Sequence, residues 1–202
     1  MPSGSLAAIA LAGGNSIRMG RDKALIPVQG VPLLRRICLV ALECTPIVYV
    51  VTSRVHQYEK ILPPECQVIQ ERLLPGEIEL QGPLVGFAQG LENVQTEWVL
   101  LLACDLPNLR LEILQDWIME LDNQPDLVDA LLPQGEKGWE PLCGFYRVSN
   151  LAHLTTFIQQ GGRSFQRWLQ QRSVKALPLS SSNMLFNCNT PADLTHVLNI
   201  CR

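Results

Sequence analysis

The chain has 202 residues, 47% of them apolar and 17% charged, with a formal net charge of −3. That length and apolar fraction suit one α/β domain with a real core and exclude a disordered chain. The net negative charge excludes the broad basic footprint of a nucleic-acid binder, although a local cationic cluster can still hold a small anion.

Seven cysteines stand at positions 38, 44, 66, 104, 143, 188 and 201, with no CxxC or Cys/His spacing. They read as reduced thiols, most of them small core residues, of a cytoplasmic protein. His56, His153 and His196 are isolated in sequence, so surface or satisfied core positions are expected for them and not a metal site. The apolar run from Leu6 to Ala12 is too short for a signal-peptide core and follows no basic residue. No run approaches the roughly 20 apolar residues needed to span a bilayer. A soluble, cytoplasmic protein with no membrane or nucleic-acid partner is expected, a monomer or weak homo-oligomer, forming a single domain over residues 1–202.

In chain order, LAAIAL (6–11) is a continuous apolar run ending near Gly13-Gly14, which predicts a buried parallel strand. Pro32 opens a helical pattern with Leu33, Leu34, Ile37, Val40 and Ala41 at helical spacing. A β-branched strand is predicted over 47–51, a short helix over 55–62 stopped by Pro63-Pro64, and a third strand over 66–70. Residues 71–82 have no clear period and read as loop; Pro83 starts a helix through residue 94. WVLLLAC (98–104), the most apolar strand, is the candidate for the sheet centre. A helix over about 110–121 and a strand over 127–132 follow.

The last third is less regular. Residues 141–148 read as a strand, the candidate for an antiparallel one, after a polar turn at 134–140; two helices, roughly 149–160 and 163–171, flank Gly161-Gly162. Residues 174–179 suggest an edge strand, since Pro178 cannot donate to a ladder. Thr190-Pro191 reads as an N-cap with proline at the first helical position. The alternation predicts an α/β fold: a Rossmann-like, doubly wound, mostly parallel sheet with one antiparallel strand and helices on both faces.

In such sheets ligands bind at the carboxyl ends of the strands, where two unusual segments fall. The first is LAGGNSIRMGRDK (11–23), both glycine-rich and cationic. Gly13 and Gly14 let the backbone approach an anion, and Arg18 and Lys23 can balance phosphate charge. An ordinary glycine turn before a solvated basic loop would explain Gly-Gly alone. Neither GxGxxG nor GxxxxGK[ST] occurs, so the segment is neither the dinucleotide fingerprint nor a Walker loop. The second is Asp105, directly after the most apolar strand, where a carboxylate is costly unless paired or metal-bound. It can cap the following turn or hold Mg²⁺, and spacing alone leaves both open. With a cationic glycine loop at the same end of the sheet, Mg²⁺–nucleotide binding becomes the better reading. No Ser/His/Asp or Cys/His constellation is present, which suits a transfer needing position and charge neutralisation more than an acid–base pair.

These segments and others resemble the molybdenum cofactor guanylyltransferases, the MobA-type nucleotidyltransferases. The matching strings are LAGGNSIRMGRDKALIP (11–27), GVPLLRR (30–36), GPLVGFAQGL (82–91), VLLLACDLPNL (99–109), PLCGFYR (141–147) and FNCNTPADL (186–194). They run in family order over nearly the whole chain; the last narrows the match, since an Asn-x-Asn-Thr-Pro ending is typical of the molybdenum-cofactor branch. The resemblance implies a nucleotide-diphospho-sugar transferase-like fold. It also implies transfer of GMP from GTP to molybdopterin, Mg-bound or Mo-loaded, releasing pyrophosphate and leaving a guanine dinucleotide cofactor. It implies Leu11, Ala12, Gly13, Gly14 and Lys23 against the nucleotide and Asp105 on both nucleotide and Mg²⁺. Arg18 and Lys23 join Asp105 as catalytic candidates. Where the family often has an aspartate after the third strand, this chain has Glu71, which keeps the charge and moves it by one methylene. Asn187 and Asn189 either face the pterin or simply hold the turn before the last helix. Arg147 and Arg163 are candidates for pterin phosphate or ordinary surface residues.

Molybdenum-insertion proteins and acceptor molybdoenzymes are the implied protein partners. The nearest rival is CTP-dependent cytidyl transfer, whose relatives typically read LAAG; glycine at position 13 favours the larger purine. A sugar-phosphate nucleotidyltransferase would carry a GxGTRL-like loop, absent here. A non-catalytic carrier of nucleotide or molybdopterin would have no need of both Lys23 and Asp105.

Overall fold

A computed structural model describes residues 6–13, 22–135, 138–179, 182–188, 190 and 192–195. Among the described residues, strands, α-helices and short 3₁₀ turns follow in the order β1 (Leu6–Leu11), β2 (Pro27–Val28), β3 (Val31–Pro32), α1 (Leu33–Cys44), β4 (Val48–Thr52), α2 (Val55–Tyr58), β5 (Gln67–Gln70), α3 (Pro83–Leu91), β6 (Trp98–Ala103), α4 (Leu111–Met119), β7 (Ala130–Gly135), β8 (Gly138–Trp139), β9 (Cys143–Arg147), α5 (Leu151–Gln159), α6 (Phe165–Leu169) and β10 (Val174–Leu177), before helical residues at 192–195. The main sheet runs β10-β7-β9-β6-β1-β4-β5, with β6 at its centre, as its apolar content predicts. β1 pairs in parallel with β4 and β6, β4 with β5 and β7 with β10, while β9 runs antiparallel to both β6 and β7. The predicted mostly parallel sheet with one reversed strand is therefore the path observed. The two-residue β8 adds a short antiparallel pairing with β7.

The two cores follow from strand periodicity. Ala8, Ala10, Leu100 and Leu102 point to one face and meet Leu34, Ile37 and Ala41 of α1 and Leu114 and Trp117 of α4. Ala7, Ile9, Val99 and Leu101 point to the other and meet Leu84, Phe87 and Leu91 of α3, Leu154 of α5 and Trp168 of α6. β1 and β6 are buried at every position, which explains their continuous apolar runs. Among the described residues no helix is long and apolar enough to cross a membrane.

Several boundaries move for local reasons. The helix predicted over 55–62 stops at Tyr58, whose carbonyl accepts from both Ile61 and Leu62 and closes a turn before Pro63. β7 starts at Ala130 and not at residue 127, because Val128 N–H bonds Pro125 O and turns the chain. The polar turn at 134–140 instead carries the end of β7 and the returning β8. The helix predicted over about 110–121 ends at Met119, and a 3₁₀ turn covers 121–123. Thr190 caps as predicted: its hydroxyl accepts from Asp193 N–H at 3.2 Å and its own N–H donates to the Asp193 carboxylate at 2.7 Å. Pro191, at the first helical position, lies outside the described residues.

Candidate active site

Four parallel strands, β1, β4, β5 and β6, deliver their carboxyl ends to one crevice. Hydrogen bonds beyond the ladders hold those ends in register: Ala12 N–H to Val51 O, Cys104 N–H to Leu11 O and Glu71 N–H to Thr52 O, at 2.8–3.2 Å. The buried Thr52 adds a bond from its hydroxyl to Ala12 O at 2.8 Å. The crevice is a cavity of about 450 Å³, within the range of small-molecule sites. Leu11, Ala12, Gly13, Lys23, Glu71, Gly82, Gly86 and Asp105 all line it. Gly14, Arg18 and Asn189 lie outside the described residues.

Lys23 and Asp105, 82 positions apart in sequence, form an ion pair with Nζ 3.6 Å from Oδ2, and only 19% of each side chain is exposed. Burial pushes the Asp105 carboxyl above its usual range, while the Lys23 charge and backbone N–H donation pull it back. The adjacent Cys104 thiol is pushed up to about 12 by burial and the Asp105 charge, so it remains a neutral lining group.

Glu71 keeps its place at the site. Its side chain rests over two glycines: a Cβ on Gly13 would come within 2.9 Å of Oε2, and one on Gly86 within 3.2 Å of Oε1. The carboxylate therefore occupies a seat that glycine at both positions leaves open. Burial raises its pKa. Gly82 precedes α3 with φ +86°, a conformation that suits glycine, and turns the 71–82 loop into the helix. Gly82, Pro83 and Gly86 thus belong to the site wall, while Leu84 and Val85 between them enter the core.

The sequence reading missed Asp22, Arg54 and Tyr58. Arg54 and Tyr58 both donate to the Asp22 carboxylate beside Lys23, and all three line the cavity. Their only linear signal is Asp22 next to Lys23.

Asn187 lies 82 residues beyond Asp105, yet Cys188 N–H donates to Asp105 O at 3.0 Å and brings this segment alongside. Asn187 donates to Leu185 O at 3.3 Å, so it holds its own turn. It also lines a small cavity of about 90 Å³ with Leu106, Glu140 and Leu142. Leu142 is shared with the main cavity.

Arg147 and Arg163 have structural posts. Arg147 pairs with Trp98, the first residue of β6, at the opposite end of the strand from Asp105. Only 8% of its side chain is exposed; it donates to the carbonyls of Val128, Gln124 and Pro125 and to Glu97, and lies 4.4 Å over the Trp98 ring. It is neither a surface arginine nor near a ligand at the crevice. Arg163 bonds the carbonyls of Ile158 and Gly162 and pairs with Glu77 and Gln81, anchoring the 71–82 loop to the α5–α6 junction.

The described lining carries Asp22, Glu71, Glu79 and Asp105 against Lys23 and Arg54. Among the described residues no group of three or more His, Cys, Asp or Glu side chains is placed to hold a metal ion, so a resident all-protein metal cage has no donor set there.

Residues 8–175 match the MobA-like NTP transferase domain family. A probable molybdenum cofactor guanylyltransferase of Trichormus variabilis is 57% identical over 94% of this chain and 89% of its own length. The molybdenum cofactor guanylyltransferase of Pseudomonas putida is 32% identical over 90% of this chain and 91% of its own. The crystal structure of molybdopterin-guanine dinucleotide biosynthesis protein A from Archaeoglobus fulgidus superposes with a TM-score of 0.73 at 26% identity, covering 96% of this chain and 98% of that one. CMP:2-keto-3-deoxy-manno-octonic acid synthetase, at a TM-score of 0.74 and 14% identity, covering 98% of this chain and 98% of that one, shares the architecture. With a parallel-sheet crevice, a paired lysine and aspartate lining it, and these relatives spanning nearly all of its length, the chain belongs to the MobA-like NTP transferase family of nucleotidyltransferases.

Proposed function

We propose that this protein transfers the GMP moiety of GTP to molybdopterin, forming the guanine dinucleotide form of that cofactor and pyrophosphate. A terminal phosphate oxygen of molybdopterin bonds to the α-phosphorus of GTP as the bond from that phosphorus to the bridging oxygen breaks. The leaving pyrophosphate carries away the electron pair. The observation that carries this reading is the Lys23–Asp105 pair lining a nucleotide-sized cavity at the carboxyl ends of β1 and β6. Lys23 balances negative charge gathering on the phosphates, and the ends of β1 and β4 orient the nucleoside.

The residues fit a Mg²⁺ ion. A partly buried carboxylate whose pKa is raised gains from a neighbouring cation, and one such group is what Mg²⁺ needs when phosphates and water complete its shell. Asp105 is the residue to hold it, and the chemistry it supplies is neutralisation of phosphate charge.

Glu71 offers two acceptor oxygens to the base. Guanine presents two adjacent N–H donors on its Watson–Crick edge and cytosine does not, so a seated carboxylate favours GTP over CTP. Asn187 and the small cavity beside Asp105 form the acceptor side. Cys38, Cys44, Cys66, Cys104 and Cys143 are free thiols, which supports a cytoplasmic setting.

The test is direct. Purified protein is incubated with Mg²⁺, molybdopterin and either GTP or CTP, and the product is identified by mass. A guanine dinucleotide with stoichiometric pyrophosphate is expected. A cytosine dinucleotide alone would replace the reading with cytidyl transfer, and nucleotide binding without a product would make the protein a carrier.

A further inference from the structure

Lys23 sits on a 3₁₀ turn of three residues, Lys23–Leu25, which is too short to be stable by itself. Asp22 caps it, accepting from Ala24 N–H at 3.1 Å. The same carboxylate is gripped from outside the turn. The Tyr58 hydroxyl lies 2.9 and 2.8 Å from its two oxygens, and Arg54 donates to Oδ2 at 2.6 Å. The Asp22 side chain is 14% exposed and Tyr58 only 2%. Arg54 is itself fixed, since its N–H donates at 3.0 Å to the Thr52 hydroxyl, which donates to Ala12 O. A continuous run of bonds therefore leads from the end of β1, through β4 and α2, to the turn that carries Lys23.

We propose that Tyr58, acting through the Asp22 carboxylate, is a positioning residue for Lys23: it holds the turn so that the ammonium stands at Asp105 before any nucleotide arrives. The inference rests on reading Lys23 as the group that balances phosphate charge, and it adds where that group's precision comes from. Burial and the Asp22 charge push the Tyr58 hydroxyl above its usual range, which keeps it a donor. A purely structural network would pin α2 to the loop and leave the lysine indifferent to the hydroxyl.

Tyr58→Phe removes the hydroxyl and keeps the buried ring. One readout needs no activity: the rate at which acetic anhydride acetylates Lys23 in the free protein, against the remote, half-exposed Lys175 as internal reference. Release of the turn should speed Lys23 acetylation at least threefold with Lys175 unchanged. In the guanylyl-transfer assay, kcat should fall about tenfold with KM for GTP within about twofold, the scale of one weakened charge-assisted hydrogen bond. Added to Lys23→Ala, Tyr58→Phe should cost less than about twofold more, because its route to catalysis is already gone. Arg54→Gln, at a partly exposed position, should speed Lys23 acetylation in the same way if Tyr58→Phe fails to fold. Unchanged acetylation of Lys23 overturns the proposal whatever the rates, and so do losses that multiply in the double variant. Should the wild type transfer no guanylyl group, the proposed function falls and the acetylation rates alone decide the clamp.

Discussion

Gly13→Ala tests base selection at its closest contact. The new methyl would sit 2.9 Å from Glu71 Oε2, about half an ångström inside ordinary contact. No backbone atom stands in its way, so the carboxylate can swing aside and the fold should lose under about 1 kcal/mol. The displacement falls on the oxygen proposed to accept from guanine. A hydrogen bond to a charged group contributes about 1.5–3 kcal/mol, so losing one should lower kcat/KM for GTP roughly 10- to 150-fold. CTP makes no paired donor contact with Glu71, and its kcat/KM should move by less than about threefold. The assay is steady-state turnover of both nucleotides, wild type against variant, with a melting curve to confirm folding. Equal losses for GTP and CTP would refute the reasoning, because position 13 would then sense the phosphates or the backbone. Gly86→Ala, meeting the other oxygen at 3.2 Å, should give a smaller loss of the same kind.

Asp105→Asn should lower Mg²⁺-dependent turnover at least about 10²-fold, measured by product mass over a magnesium titration. Its stability effect has the opposite sign: the folded-state pKa of Asp105 lies above its unfolded value, so wild type loses stability as pH rises through that pKa. Asp105→Asn should therefore melt at or above wild type at pH 7, with the gain shrinking as pH falls, read by calorimetry. Arg147→Met should destabilise by about 2–4 kcal/mol, since three backbone carbonyls lose their donor, while KM for both substrates stays unchanged in the folded fraction; denaturant titration and kinetics check both. Asn187→Ala should raise KM for molybdopterin about tenfold and leave KM for GTP within about twofold, and a loss confined to stability would reduce Asn187 to a turn residue.

The sheet was legible because β1 and β6 are buried on both faces and carry unbroken apolar runs, a signal that needs no partner to be read. The crevice followed, since parallel strands put their outgoing loops at one end. Side-chain pairing was harder to read. Nothing linear joins Tyr58 to Asp22, 36 residues earlier, or tells that Arg147 lies under backbone carbonyls at the far end of the sheet. The seat of Glu71 was hidden for a related reason: it depends on two glycines in different elements, and each reads alone as a turn or a helix residue. The short span of α2 was equally local, set by one carbonyl taking two donors.

The reversed direction of β9 has a consequence for how the molecule can change. A parallel strand offers the crevice only the loop that leaves it, whereas β9 offers the loop that enters it. Leu142 therefore lines the same cavity as Asp105, and Ala103 N–H bonds Leu142 O at 2.9 Å. The large cavity lies over the ends of β1, β4, β5 and β6, and the small one is lined by the approach to β9 and the segment around Asn187; Leu142 is common to both. Each cavity has largely its own stretch of chain, so residues of the one can be replaced without disturbing those of the other. A single reversed strand thus adds a second, separately editable cavity beside the first.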